Sequence, residues 1–122
     1  MGDQPTAQVR IAEAAAEIDA ARAILKASSD EALACARADT VPPLECRVRW
    51  RRNGAYAGVL CVRAVERLYP LVGAGGLADQ SPFHRAFRDV HAVCAHLALT
   101  WDVQGANYGR VLVGHPSTDA RL

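Results

Sequence analysis

A chain of 122 residues with a formal net charge of +1 is one small domain. Its near-neutral charge excludes the electrostatic footprint of a nucleic-acid or anionic-membrane binder. No uncharged apolar run approaches the roughly 18 residues of a membrane span, and no basic-then-apolar leader opens the chain.

Half of the residues are hydrophobic but only 6% are aromatic. An apolar content of Ala, Val and Leu suits close helix packing. The four cysteines, Cys35, Cys46, Cys61 and Cys94, form no C-x-x-C pair, so they read as free thiols of a cytoplasmic protein and not as zinc ligands.

Residues 1–6 read as a flexible N-terminus. The first helix is predicted over about 7–38, with Thr6 as its N-cap. Ile11, Ile18 and Leu25 recur every seven residues, with Ala14, Ala15 and Ala21 between them, as on the core stripe of a bundle helix. Glu13, Glu17, Asp19 and Lys26 form the face expected to be solvated. Pro42-Pro43 ends this helix. A second runs from Leu44 to about Val72 through the arginine-rich stretch Arg47, Arg49, Arg51 and Arg52, with Gly54, Gly58 and Pro70 as interruptions. Gly73-Ala74-Gly75-Gly76 ends it and permits close approach to the backbone. Ser81-Pro82 opens a third helix expected to reach Leu99, with Ser81 as N-cap. A fourth spans Trp101 to Val113, and 115–122 reads as a flexible tail. The fold class is all-α, an up-and-down four-helix bundle over 7–114.

The third helix concentrates the chemistry: His84, Arg85, Arg88, Asp89, His91 and His96. Arg85, Asp89 and His96 share one stripe, whereas His84, Arg88 and His91 share another. His91 and His96 lie about 140° apart on such a helix and do not converge on a metal. The helical His-x-x-x-His zinc spacing is absent. No metal site is expected.

The run from Gly73 to Asp102 resembles the C-terminal helical-bundle domain of two-component flavin-dependent monooxygenases built on the acyl-CoA dehydrogenase fold. The resemblance lies in the glycine pair, Ser81-Pro82-Phe83-His84-Arg85, Phe87-Arg88-Asp89-Val90-His91, then His96 and Trp101-Asp102, with Phe83 where leucine is usual. It extends from about residue 7 to 114.

The resemblance implies that a reductase supplies reduced FMN or FAD. Oxygen then adds to give a C4a-hydroperoxyflavin that hydroxylates an aromatic or heteroatom substrate. It implies a catalytic role for His96, with His91 beside it, since an imidazole titrates near working pH. It assigns Gly73, Gly75, Gly76, Ser81 and Arg85 to cofactor binding, and Arg88 with Asp89 to a structural ion pair. The absence of a carboxylate over Cys94–Leu99 disfavours acyl-CoA dehydrogenase chemistry.

Complete enzymes of this kind also carry an N-terminal helical domain and a β-domain. The expected function is therefore that of a bundle domain needing a second chain for those parts. It would be a homo-oligomer, dimer or tetramer, since the bundle lies at the centre of such enzymes' tetramers. Two alternatives stand beside it: a non-catalytic oligomerisation module, and a small ligand-binding or biosynthetic enzyme using an interhelix groove.

Overall fold

In the computed structural model, residues 4–78 and 80–122 are described. They form four α-helices and two 3-10 turns, with no strand among the described residues. α1 spans Pro5–Arg37, α2 Leu44–Val72, α3 Pro82–Cys94 and α4 Trp101–Leu112. The 3-10 turns are Ala74–Leu77 and Leu97–Leu99.

α1 starts earlier than its sequence suggests. Gln4 is the cap residue, with Pro5 in the first turn, and the Gln4 carbonyl accepts from Ala7 and Gln8. Thr6 is thus already helical, because proline's fixed φ favours the first helical position over a threonine cap one residue later. The helix ends in a Schellman turn: Asp39 N–H reaches the Ala36 carbonyl and Thr40 N–H the Cys35 carbonyl. Asp39 takes the left-handed position, at φ 51°, where glycine would be unstrained.

α1 and α2 form an antiparallel hairpin. Ala7, Ala14 and Ala21, each 3% exposed, line its seam. Their seven-residue spacing keeps them on one stripe, and their methyl groups let the axes approach toward the ~8 Å end of the usual range. Midway along the hairpin Ala21 meets Ala57 and Leu60, with Ile24, Tyr56 and Cys61 around them.

The acidic face of α1 is not simply solvated. Arg67 of α2 bridges Glu13 at 2.7 Å and Glu17 at 2.8 Å, and these carboxylates hold its guanidinium above the ordinary range, Glu17 most strongly. Further along, Asn53 donates to the Ser28 hydroxyl at 2.9 Å. Trp50 and Arg49 both donate to Glu31.

α2 is the hub: α1, α3 and α4 each pack on it. α3 lies along its C-terminal half and α4 along its N-terminal half. Tyr69 stacks near Phe83 and Phe87, Cys94 Sγ sits 3.5 Å from the Gly58 carbonyl, and Tyr56 meets Trp101 at 5.1 Å. Near the start of α2, Arg52 lies 4.2 Å above the Tyr108 ring. α3 and α4 thus act as one broken rod antiparallel to α2, and the four helices make three parallel tracks.

Gly54 and Gly58 allow this close approach. A Cβ on Gly58 would stand 3.1 Å from Cys94 Sγ, and one on Gly54 would stand 3.8 Å from Leu99. Pro70 does not end α2, which continues to Val72.

The tail folds back where the sequence reading expects flexibility. Asn107, 3% exposed, accepts from Thr118 N–H at 2.8 Å and pairs with the Ser117 hydroxyl. A buried amide needs such partners, and none nearer in sequence supplies them. Gly114, at φ 89°, makes the turn that allows it.

Candidate functional site

The candidate residues lie at two ends of α3, a rod of roughly 20 Å. At its start, the chain leaves α2 through Gly73, at φ 61°, and coils through Gly75 and Gly76 in a 3-10 turn. Gly76 is buried, and a Cβ there would collide with the Val72 side chain. Gly75 is exposed with nothing within 4 Å of its Cβ position, so its backbone is open to an incoming group. Ser81 occupies the N-cap position with extended backbone, yet its hydroxyl makes no cap bond. Arg85 is exposed and makes no ion pair among the described residues.

Arg88 and Asp89 are also exposed, and no ion pair joins them among the described residues. Neighbours on a helix point about 100° apart, so they do not face each other. The expected Arg88–Asp89 ion pair is therefore corrected. Asp89 instead borders a groove with Val90 and Val93.

His91 is engaged at both ring nitrogens. Nδ1 lies 2.8 Å from the Phe87 carbonyl and Nε2 lies 3.2 Å from Glu66 Oε1 on α2. The Phe87 carbonyl and the Glu66 carboxylate raise its pKa above the ordinary 6.5. The ring also stacks on Phe87 at 4.4 Å. These contacts fasten α3 to α2 through His91.

His96 departs most from its expected setting. The third helix stops at Cys94, five residues short of Leu99, so His96 does not complete a stripe with Arg85 and Asp89. It caps the Leu97–Leu99 turn instead, its Nδ1 accepting from Ala98 N–H at 3.2 Å. Side-chain capping of this kind competes with helix continuation. Its backbone carbonyl accepts from Leu99 N–H and the Thr100 hydroxyl.

Because Nδ1 accepts, the neutral ring carries its proton on Nε2. That N–H has no partner among the described residues, and the side chain is exposed. His96 thus presents a fixed imidazole donor at the break between α3 and α4.

Sequence periodicity missed two features. The break was hidden because Cys94–Leu99 carries no proline or glycine. The clasp of His91 on Glu66 joins residues 25 apart in sequence, which no local pattern reveals. Among the described residues no group of three or more His, Cys, Asp or Glu could hold a metal ion, and no helix is long and apolar enough to cross a membrane. Among the described residues, the grooves bordered by Tyr108, by Tyr56 and Trp101, and by Val90 and Val93 are not lined by His96.

Comparison with known proteins gives the family. The model for the acyl-CoA dehydrogenase C-terminal domain matches residues 1–101. The oxygenase component of p-hydroxyphenylacetate 3-hydroxylase from Acinetobacter baumannii is 37% identical over 108 residues, covering 88% of this chain and 26% of that protein. The oxygenase subunit HsaA, a flavin-dependent monooxygenase of Mycobacterium tuberculosis, is 40% identical over 121 residues, covering 98% of this chain and 30% of its own length. The crystal structure of 3-HSA hydroxylase from Rhodococcus sp. RHA1 superposes with a TM-score of 0.90 at 35% identity, covering 98% of this chain and 32% of that one. The chain thus spans about a third or less of these relatives and corresponds to their C-terminal portion. With the helices, the break and the match in hand, the chain belongs to the acyl-CoA dehydrogenase C-terminal domain family, and its relatives are oxygenase components of flavin-dependent monooxygenases.

Proposed function

We propose that this chain forms the helical wall of a flavin-dependent monooxygenase site, completed by polypeptide that supplies the other domains. The observation that carries this is His96: a capping imidazole whose Nε2–H has no partner among the described residues and is exposed at the α3–α4 break. Such an N–H can hydrogen-bond to a group on a bound flavin or substrate. Bound reduced FMN or FAD, delivered by a separate reductase, would supply the activation of oxygen.

The far end of α3 suits the rest of the cofactor. Gly75 offers open backbone, Gly73 and Gly76 shape the turn around it, and the Ser81 hydroxyl is not spent on capping. Arg85 adds an exposed positive charge. These groups can hold a phosphate or polar side chain of a flavin but cannot enclose its ring. Positioning provides much of an enzyme's rate, so the chain by itself is not expected to hydroxylate. We place it in the cytoplasm, with an aromatic or heteroatom substrate.

The test is reconstitution. The remaining domains, made separately from the M. tuberculosis relative, are added with reductase and NADH, and hydroxylated product is measured against uncoupled peroxide. Turnover that falls at least ~100-fold in His96→Ala, within the range that general acid–base catalysis contributes, supports the reading. Equal turnover in His96→Ala overturns it.

A second reading, a non-catalytic oligomerisation module, is favoured by a different observation. Val41, Leu112 and Val113 are all strongly exposed at the end where α2 begins and α4 finishes. Such an apolar tip is ordinarily covered. We propose self-association as a dimer or tetramer in either case. A monomer by light scattering at micromolar concentration would count against it.

A further inference from the structure

The fold gathers three arginines where the tail meets the start of α2. Arg47 and Arg51 stand about one turn apart on that helix. The tail, tied down at Ser117 and Thr118 by Asn107, returns Arg121 to them. With Trp50 and Leu122 they line an open pocket of about 310 Å³, near the lower end of small-ligand sites. Arg47 lies roughly 37 Å along α2 from the glycine turn, at 1.5 Å per residue.

The chain answers these charges poorly. Arg47 and Arg51 are half-buried, and neither makes an ion pair among the described residues. Arg47 Nε is buried with no hydrogen-bond partner among them, so hydration is lost with no bond in return. Like charges four residues apart on a helix repel. Arg47 also stands in the first turn of α2, where the backbone dipole is already positive. Glu31 of α1 is taken by Arg49 and Trp50. Asp119 accepts from the Arg121 backbone N–H at 2.9 Å and lies 3.5 Å from Arg121 Nε. That N–H first, then the charges of Arg121 and Arg51, hold its carboxyl below the ordinary range. Asp119 thus pairs with one of the three guanidinium groups.

We propose that this pocket binds a phosphate group, free or as the end of a phosphate ester. Guanidinium forks pair with phosphate oxygens two at a time. A dianion answers two half-buried arginines at once, which a carboxylate's single charge does not. Trp50, held by Glu31 at 2.8 Å, adds an aromatic ring against which the organic part of an ester can rest. The site needs neither flavin nor further domains, so it stands apart from the monooxygenase reading.

The test uses the full chain at about 0.15 M ionic strength, where exposed charges are screened beyond roughly 8 Å. Calorimetry follows inorganic phosphate, AMP and acetate, and NMR follows the Arg47 Nε–H resonance. Saturable one-to-one binding of phosphate or AMP is expected, with a Kd of about 1 mM or tighter and a shifted Arg47 resonance. Arg47→Gln and Arg121→Gln should each weaken it at least about tenfold. Arg63→Gln, at an exposed position further along α2, should not. Phosphate should raise the Tm of the parent chain and leave that of Arg47→Gln unmoved. Without ligand, Arg47→Gln should melt no lower than the parent, because it removes an unpaired charge. AMP bound at least about tenfold tighter than phosphate assigns the site to an ester, and equal affinity assigns it to the free ion; both uphold it.

No saturable binding of phosphate or AMP at ~20 mM, far above the expected Kd, overturns the proposal. So does acetate bound as tightly as phosphate. An equal loss in Arg63→Gln would reduce the pocket to diffuse charge and overturn it too. A lowered Tm in Arg47→Gln with phosphate affinity intact would make Arg47 structural, with the same consequence. Should Arg47→Gln fail to fold, Arg121→Gln, at an exposed tail position, decides alone.

Discussion

The two sides of α2 are held by different physics. Toward α1 the contact is a seam of alanines with polar bridges at intervals: Arg67 to Glu13 and Glu17, Asn53 to Ser28, and Trp50 with Arg49 to Glu31. Toward α3 and α4 it is large side chains set against glycines: Tyr69 with Phe83 and Phe87, Tyr56 with Trp101, Cys94 over Gly58. The first side is a long uniform hairpin. The second is a rod broken at His96, where the candidate chemistry lies. The uniform side supplies a rigid support, and the glycine-backed side lets a non-helical hinge lie close to it.

That contrast can be broken most severely in the shared core. Leu60→Ala removes a buried side chain that packs on Ala21 and Ala57, and large-to-small changes of this kind cost about 2–5 kcal/mol. Urea unfolding should show a large fall in midpoint. A loss below 1 kcal/mol would mean that the hairpin is not the stabilising half.

Gly58→Val tests the other side alone. The new side chain meets Cys94 Sγ at 3.1 Å, and overpacking costs about 1–3 kcal/mol. Because α3 must shift, the His91–Glu66 contact should be lost with it. Unchanged His91 titration by NMR would show that the glycine does not set the α2–α3 distance.

Asn107→Ala should release the tail. It strands the Thr118 N–H and Ser117 hydroxyl that the amide now holds, at about 1–3 kcal/mol for a buried hydrogen-bonding group. Faster amide exchange confined to 117–121 is the expected signature. Global exchange at one rate would place the tail inside the core's cooperative unit.

The smallest effects sharpen the comparison through pH and backbone strain. The Phe87 carbonyl and Glu66 raise the His91 pKa, so the folded state binds its proton more tightly than the unfolded chain. The stabilisation is fully present below the unfolded value of 6.5 and is lost as pH rises through the raised folded value. Stability should decline on going from pH 6 upward across that window, as about one proton's linkage, and His91→Gln should flatten the decline. An unchanged profile would remove His91 as the clasp. Asp39→Gly relieves a left-handed residue in the α1–α2 turn and should stabilise by about 1 kcal/mol.

The helices and the family were legible in the local sequence. Alanine-rich periodicity, Pro42-Pro43, the glycine run and Ser81-Pro82 mark helix boundaries by backbone chemistry that acts within a few residues. The motif from Gly73 to Asp102 needs no fold to be read. Which heptad became the seam was not legible: Ala7, Ala14 and Ala21 went inside while Ile11 and Leu25 stayed out, since the choice depends on what α2 presents and how close it can come.

The same limit governs the site. Sequence placed His91 and His96 on one helix and could not separate their surroundings. Tertiary structure separated these by giving His91 a carboxylate from α2 and by ending α3 at Cys94, so that Leu99 meets α2 at Gly54 and His96 caps the turn that follows α3. Local residues determined that this protein is helical and where its candidate site residues are concentrated. Only packing across α2 decided which imidazole is held by a second helix and which has no Nε2 partner among the described residues, because that depends on partners distant in sequence.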